Sequence, residues 1–197
     1  PAGGQVGTSS LRRRAFLARH RPDLELVDLR GNVPTRVRRL EEGKYDAIIL
    51  AAAGVKRLGL ERHITEFLAF DQFLPAVAQG AVAVEIRGGD EVTRDWVRRL
   101  DHPPTHFATA AERALLATLE GGCQVPVGAL ATLAGELLSL AAEVVSLDGR
   151  RFVSGRKSGP VSRPEELGRA LAAELIAGGA GGILAEIRSP QTGGAQP

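Results

Sequence analysis

Residues 5–58 read QVGTSSLRRRAFLARHRPDLELVDLRGNVPTRVRRLEEGKYDAIILAAAGVKRL, and their alternation decides the fold. Gln5–Thr8 ends a strand. Leu11–His20 has helical spacing, with Ser9 or Ser10 suited to its N-cap. Leu24–Leu29 alternates apolar and polar residues as a strand does. Pro34–Glu42 reads as a short helix with Pro34 in its first turn. Asp46–Leu50 is a strand of the buried type, and Ala51–Leu58 follows as a helix. Strands alternating with helices predict a mostly parallel sheet covered by helices, an α/β arrangement.

Downstream the pattern changes. Pro75 falls in a connector after FDQFL, and Gly80–Arg87 (GAVAVEIR) reads as a strand. Asp90–Asp101 reads as a helix with Trp96 on its apolar side. His102-Pro103-Pro104 breaks the chain and marks a boundary. Thr105–Leu119 is a strongly amphipathic helix. Strand-like runs follow at Val127–Leu133, Leu137–Leu147 and Arg151–Arg156, with Asp148-Gly149 suited to a hairpin turn. Arg163–Ala177 is helical, Gly178–Gly182 interrupts it, and Ile183–Ile187 resumes it. The tail SPQTGGAQP reads as disordered. The last hundred residues thus predict an α+β unit with a small antiparallel sheet.

Of 197 residues, 44% are hydrophobic and 24% charged, enough to bury a core. Basic residues are almost all Arg, since only Lys44, Lys56 and Lys157 are Lys. Residues 1–62 hold 13 Lys/Arg against 7 Asp/Glu, a net of +6, and the remainder 12 against 16, a net of −4. The N-terminal part therefore favours an anionic partner. One Cys forms no internal disulfide and no metal cluster, so a reducing cytoplasm is expected. No apolar stretch reaches the roughly 18–20 residues of a membrane span, and the start does not resemble a signal peptide. A chain beginning at Pro1 is expected to be a fragment or a processed product.

Two constellations carry chemistry. In GTSSLRRR a strand ends, hydroxyl residues follow and a helix begins. Free N–H groups at such a helix start attract anions, and Arg12 and Arg13 add charge. Arg30 and Arg36 repeat the arrangement after the second strand, and Arg57 after the third. In a parallel sheet the loops after each strand gather on one edge, where ligands bind. Arg12, Arg13, Arg30, Arg36 and Arg57 then converge on a multiply charged anion, with carboxylates and phosphates equally open. The plainer reading is an ordinary N-cap followed by a solvated basic face. The second constellation is EGGCQVPVG, which places Cys123 on a Gly-rich loop between a helix and a strand. A lone Cys is more often a small buried hydrophobe than a reactive thiol. No His lies near it in sequence to support a Cys–His hydrolase.

Together these stretches resemble the hydroxymethylbilane synthase (porphobilinogen deaminase) family. VGTSSLRRRAFL, DLRGNVPTRVRRLEEGKYDAIILAAAGVKRLGL, LPAVAQGAVAVEIR and TAAERALLATLEGGCQVPVGALA carry the resemblance, from about Gln5 to about Ile187. EGGCQVP is the most specific of them. The resemblance implies a three-domain enzyme of which this chain is the C-terminal two-thirds. Residues 1–74 correspond to most of a second domain, and 79–101 to a return segment completing the first. Residues 103–190 correspond to a C-terminal cofactor-attachment domain. The first two domains of the family are periplasmic-binding-protein-like, with parallel or mixed sheets.

The family joins four porphobilinogen molecules head to tail into hydroxymethylbilane, a haem precursor, and releases four ammonia. By resemblance, Cys123 holds a covalent dipyrromethane cofactor through a thioether. Thr8, Ser10, Arg12, Arg13 and Arg57 fall on cofactor-binding positions. Arg30 and Arg36 fall on catalytic and substrate-binding positions, and Gln79 and Gly80 on the cleft lining near the hinge. Porphobilinogen and the growing polypyrrole chain are the implied partners. Neither nucleic acid nor membrane is expected, and the intact enzyme is expected to be a cytoplasmic monomer. The family's catalytic Asp lies in the part that precedes this chain, so the 197-residue chain alone is expected to be inactive. Residues 79–101 are expected to expose apolar surface. Two other classes remain open: a non-catalytic anion-binding module of periplasmic-binding type, and an Arg-rich nucleic-acid binder. The second is disfavoured by one Trp and one Tyr.

Overall fold

A computed structural model describes residues 1–120 and 125–188 of the chain. Near its start, β1 (Gln5–Gly7), β2 (Glu25–Val27) and β3 (Ala47–Ile48) form a parallel sheet in the order β2-β1-β3. Val6 registers against Leu26 on one side and Ala47 on the other. The connections are α1 (Leu11–His20) and α2 (Val33–Glu41), and α3 (Ala52–Arg57) follows β3. α1 and α2 start where the sequence supplies a cap or a fixed φ. Ser10 Oγ accepts from the Arg13 N–H at 3.4 Å, and Asn32 Oδ1 accepts from the Thr35 N–H at 3.0 Å with Pro34 beside it.

The C-terminal unit is α5 (Pro103–Thr118), the antiparallel sheet β4 (Val127–Ala134), β5 (Leu137–Val145) and β6 (Phe152–Pro160), then α6 (Pro164–Leu175) and α7 (Gly181–Arg188). A widened turn at Ile176–Ala180 separates the last two helices, with Gly179 at φ +105°. α5 and α6 lie on one face of the sheet. Between them and the strands, Leu115, Leu138, Leu140 and Leu171 are wholly buried. Each such side chain contributes roughly 1.5–3 kcal/mol of burial.

The residues 164–188 together form a run long and apolar enough to cross a membrane by length and composition. This departs from the expectation that no stretch reaches that length. Here the apolar side of the run is the lid of a protein core: Leu167, Leu171, Leu175, Ile183 and Leu184 are buried in it.

The two units meet along α1 and a connector. Phe16 of α1 is fully buried against Val145 of β5, with Phe73 and Leu74 packed beside them. Arg19 pairs with the buried Glu143 of β5 and stacks 3.5 Å above the Phe152 ring. The hairpin turn at Gly149 (φ +74°) presses onto the same helix, and a Cβ there would sit 2.3 Å from the Arg19 backbone nitrogen. Only glycine meets both demands.

Glu112 of α5 fastens the connector. Its carboxylate is buried and accepts the Ala78 N–H at 2.6 Å and the Ala131 N–H at 2.8 Å. Ala78 itself is held at φ +58°, an uncommon conformation for a residue with a Cβ. Burial pushes the Glu112 carboxyl above its usual 4.5. The folded state therefore holds that proton more tightly than the unfolded chain, so this group's contribution to stability falls as pH rises through the interval. Glu112→Leu orphans both N–H groups. It is expected to lower stability at neutral pH by about 2 kcal/mol and to flatten that pH dependence, both measurable by thermal melts across pH.

Two sequence expectations fail between the units. Gly80–Arg87 forms no strand: Gly80 lies in a turn, the residues after it have no regular structure, and none of them joins a ladder. The helix expected over Asp90–Asp101 is shorter, α4 (Glu91–Val97) with a tight turn at Arg98–Leu100. Trp96 is not packed on an apolar side: it is 65% exposed, with the Arg99 guanidinium 5.2 Å from its ring. Val82, Val84, Val92 and Leu100 are exposed with it, the apolar surface expected for residues 79–101.

Candidate anion-binding site

In the order β2-β1-β3 the chain leaves β1 toward one side and later returns to its other side. The carboxyl ends of β1 and β3 flank this reversal, the position where open α/β sheets bind ligands. Thr8 ends β1 there. It is almost fully buried, its N–H bonds Val27 O at 2.9 Å, and its Oγ1 accepts the Ser10 N–H at 3.3 Å. Ser10 in turn caps α1. The hydroxyls of Thr8 and Ser10 thus shape the turn from which the arginines project.

Arg12 and Arg13 leave the first turn of α1 in different directions. Arg12 is only 8% exposed; its Nη1 donates to Leu74 O at 2.5 Å, and its guanidinium lies 5.6 Å from the Phe73 ring. Arg13 spans the reversal, with Nη1 donating to Ile49 O, just past β3, at 2.8 Å. Burial and then the neighbouring Arg13 charge bring the Arg12 guanidinium down to about 10. Burial and then Arg36 lower Arg13. Among the described residues, neither Arg12 nor Arg13 forms an ion pair with a carboxylate. A buried cation and a half-buried one in each other's field, with a third within reach, make an electrostatic demand for an anion.

Arg36 Nε donates to Gly31 O at 2.7 Å, and Arg39 Nη1 to Arg30 O at 3.1 Å. These bonds fix the β2–α2 loop and leave the Arg30 side chain exposed. Arg30 lines a cleft of about 440 Å³ with Ser9, Leu11, Arg14, Asp28 and Leu147, where Arg14 pairs with Asp28 at 3.2 Å. Arg57 is exposed in the last turn of α3, and no hydrogen bond or ion pair ties it to the other arginines. Gln79 is exposed in the connector, its Oε1 accepting the Ala76 N–H at 3.3 Å, and Gly80 follows at φ +94°. Their link to the site is indirect, through Leu74 on Arg12 and Glu112 on Ala78. Cys123 lies outside the described residues, as do Gly121, Gly122 and Gln124. Val125 after it and Val77 of the connector pack against the same core.

The family model described as porphobilinogen deaminase, dipyromethane cofactor binding domain, matches residues 1–95. That described as porphobilinogen deaminase, C-terminal domain, matches residues 106–177. This chain belongs to the porphobilinogen deaminase family. It is 51% identical to the porphobilinogen deaminase of Desulforudis audaxviator over 189 residues, 96% of this chain and 61% of that protein. The porphobilinogen deaminase of Roseiflexus castenholzii is 55% identical over 185 residues, 94% and 61% of the two chains. That of Moorella thermoacetica is 53% identical over 189 residues, 96% and 60%. The chain thus spans about three-fifths of the length of these porphobilinogen deaminases.

The match to a cofactor-binding domain falls on the half that carries Arg12, Arg13, Arg30 and Arg36. The donor set fits such a group: guanidinium ions, Arg12 buried and Arg13 half-buried, lacking acidic partners among the described residues suit a ligand carrying several carboxylates, which Arg can grip bidentately. Sequence reasoning found these arginines but missed what holds them. The Leu74 carbonyl, 62 residues from Arg12, has no sequence signal. Asn32 had one, an Asn followed two residues later by Pro. Glu112 had a weaker one, an acid on the helix face that buries Ala111, Leu115 and Leu119.

Proposed function

We propose that the chain is the part of a hydroxymethylbilane synthase that holds a dipyrromethane on Cys123 and binds the growing polypyrrole. The reaction is the stepwise joining of four porphobilinogens with loss of ammonia, in tetrapyrrole biosynthesis. The observation that carries the proposal is buried Arg12 beside half-buried Arg13 at the start of α1, neither ion-paired to a carboxylate among the described residues. Each pyrrole of the substrate brings an acetate and a propionate. These side chains supply the counter-charges that Arg12 and Arg13 lack among the described residues. The bound dipyrromethane supplies the pyrrole carbon on which the chain grows.

In this reading Arg12 and Arg13 hold cofactor carboxylates, and Thr8, Ser10 and Arg57 complete that set. Arg30 and Arg36 hold incoming substrate and the growing chain, with Gln79 and Gly80 lining the cleft near the hinge. Guanidinium ions at these positions bind and orient; they stay protonated at working pH and transfer no proton. Residues 1–74 form most of a periplasmic-binding-like domain, 79–101 return to a neighbouring one, and 103–190 attach the cofactor. The parallel order β2-β1-β3 and the unladdered, apolar 80–87 segment support that division. The catalytic carboxylate belongs to the remaining two-fifths of the enzyme, so the 197-residue chain by itself is inactive. The single Cys supports a reducing, cytoplasmic setting. The enzyme works as a monomer, the remaining part covering Val82, Val84 and Trp96.

Mass spectrometry of the full-length polypeptide, made in a tetrapyrrole-producing host, tests the reading directly. A dipyrromethane adduct on Cys123 is expected, and a free thiol together with no turnover of porphobilinogen refutes it. An anion-binding module would show the free thiol. Arg30→Ala and Arg36→Ala are each expected to slow elongation at least about ten-fold, the loss of one charge-assisted contact. The adduct should remain on Cys123 in both variants. Unchanged turnover in both would remove these residues from substrate handling.

A further inference from the structure

Of the three arginines in the GTSSLRRR run, Arg14 alone has an acidic partner among the described residues. α1 sends Arg13 across to Ile49 O, past β3, and Arg14 the other way to Asp28, past β2. Leu11 and Arg14, three residues apart, share a face of that helix. Beyond β2 the chain alternates: Asp28 is exposed, Leu29 wholly buried and Arg30 exposed. Residues two apart on an extended stretch point to the same side, and Asp28 and Arg30 enter one cleft together. Tyr45 Oη donates to Asp28 O at 3.1 Å and Arg39 Nη1 to Arg30 O at 3.1 Å, which pins the stretch at both ends.

The cleft holds two guanidinium ions and one carboxylate, a net charge of +1. Leu11 and Leu147 supply apolar walls and Ser9 a hydroxyl. Its volume of about 440 Å³ falls within the roughly 300–1,000 Å³ of small-ligand sites. Apolar walls beside cations suit a flat, weakly polar ring bearing acid arms, which is the chemistry of a pyrrole with carboxylates. Arg30 is bonded through its carbonyl, and its side chain forms no hydrogen bond or ion pair among the described residues. Arg14 is held loosely: one contact at 3.2 Å, to a side chain that is 66% exposed. An ion pair so open to water contributes little, and a ligand carboxylate that engages the guanidinium with both oxygens displaces it. We propose that Arg14 is a further substrate-binding residue, gripping a carboxylate of the pyrrole that Arg30 handles, and that Asp28 is a built-in competitor occupying Arg14 until that carboxylate arrives. The inference rests on the reading of Arg30 as a substrate-handling residue.

The test uses the full-length polypeptide carrying its cofactor, with porphobilinogen as the probe. Wild type, Arg14→Gln, Asp28→Asn, the double variant and Arg30→Ala are compared for KM, kcat and melting temperature. Arg14→Gln is expected to raise KM about ten-fold, the loss of one charge-assisted contact, with a smaller change in kcat. Asp28→Asn is expected to lower KM about three-fold, since the competing charge is gone. In the Arg14→Gln background, Asp28→Asn should change nothing, because the group it competes for is absent. Opposite effects of the two single variants are the signature, since both break the same ion pair and a merely structural pair would move KM and melting temperature alike. A wild-type KM in Arg14→Gln overturns the inference. So does a rise in KM with a fall in melting temperature in both single variants. An Asp28→Asn effect that persists without Arg14 also overturns it, because Asp28 then acts on Arg30. Unchanged turnover in Arg30→Ala refutes the reading beneath it, whereas impaired Arg30→Ala beside unaffected Arg14→Gln sinks this inference alone.

Discussion

Arg12→Leu in the full-length polypeptide should lower turnover about 100-fold while leaving the cofactor-free protein as stable as wild type or more so. Arg12 is the most deeply buried of the arginines, with its guanidinium brought down to about 10 by desolvation and by Arg13. Keeping it charged at neutral pH costs the empty fold about 3 kcal/mol. Its hydrogen bond to Leu74 O and its stacking on Phe73 offset part of that. Below pH 10 the folded protein bears the cost in full. Above it, the folded group releases its proton before the unfolded one does, and stability rises with pH. Leucine removes the cost, retains much of the packing and leaves one carbonyl to find another donor. A buried guanidinium facing a carboxylate contributes about 3 kcal/mol to binding, hence the roughly 100-fold loss. Thermal melts of the cofactor-free form, read beside turnover and adduct mass, check both halves. A variant that melts well below wild type, with turnover intact, would make Arg12 a structural residue.

Gly168→Val should unfold or severely loosen the C-terminal unit. Gly168 lies on α6 where it crosses α5, fully buried. A Cβ at that position would sit 2.2 Å from Ala111 O and 2.9 Å from the Ala114 Cβ. The nearest obstacle is helix backbone, which cannot swing aside as a side chain can, so the helices must separate. Separation would open the core shared by Leu115, Leu167 and Leu171. Overpacking of this kind costs about 3 kcal/mol or more, a large share of a domain's stability. Gly168→Ala should lose less, and the order Gly, Ala, Val in melting temperature is the signature to measure. An alanine variant as stable as wild type would show that the helices do not cross this closely.

Much of this was readable in advance, and the reasons are local. Ser10 and Pro34 mark helix starts because they satisfy or dispense with N–H groups at the first turn. The 5–58 stretch reveals a parallel sheet because strand and helix periods alternate within it. Asp148-Gly149 reveals a hairpin because its second residue takes positive φ. Where a property depends on a distant partner, sequence reasoning fails. GAVAVEIR has a strand's alternation but no neighbouring strand among the described residues, so it joins no ladder. Trp96 sits on an apolar helix face that stays largely exposed, with the Arg99 guanidinium against its ring.

The candidate site divides in the same way. That Arg12, Arg13, Arg30 and Arg36 follow the ends of strands is a statement about order along the chain. The sequence alone therefore determined the family, the sheet type and the presence of a basic edge. Tertiary structure decided which of those charges lose their water. Arg12 and Arg13 are desolvated because Leu74 and Ile49 arrive from 62 and 36 residues away, while Arg57, at the far end of α3, stays in solvent. It likewise decided that Glu112 ties the connector to the C-terminal sheet and that Arg14, Asp28 and Arg30 line one cleft. Desolvation and long-range hydrogen bonds are set by what the fold brings alongside a residue, and no spacing along the chain encodes that.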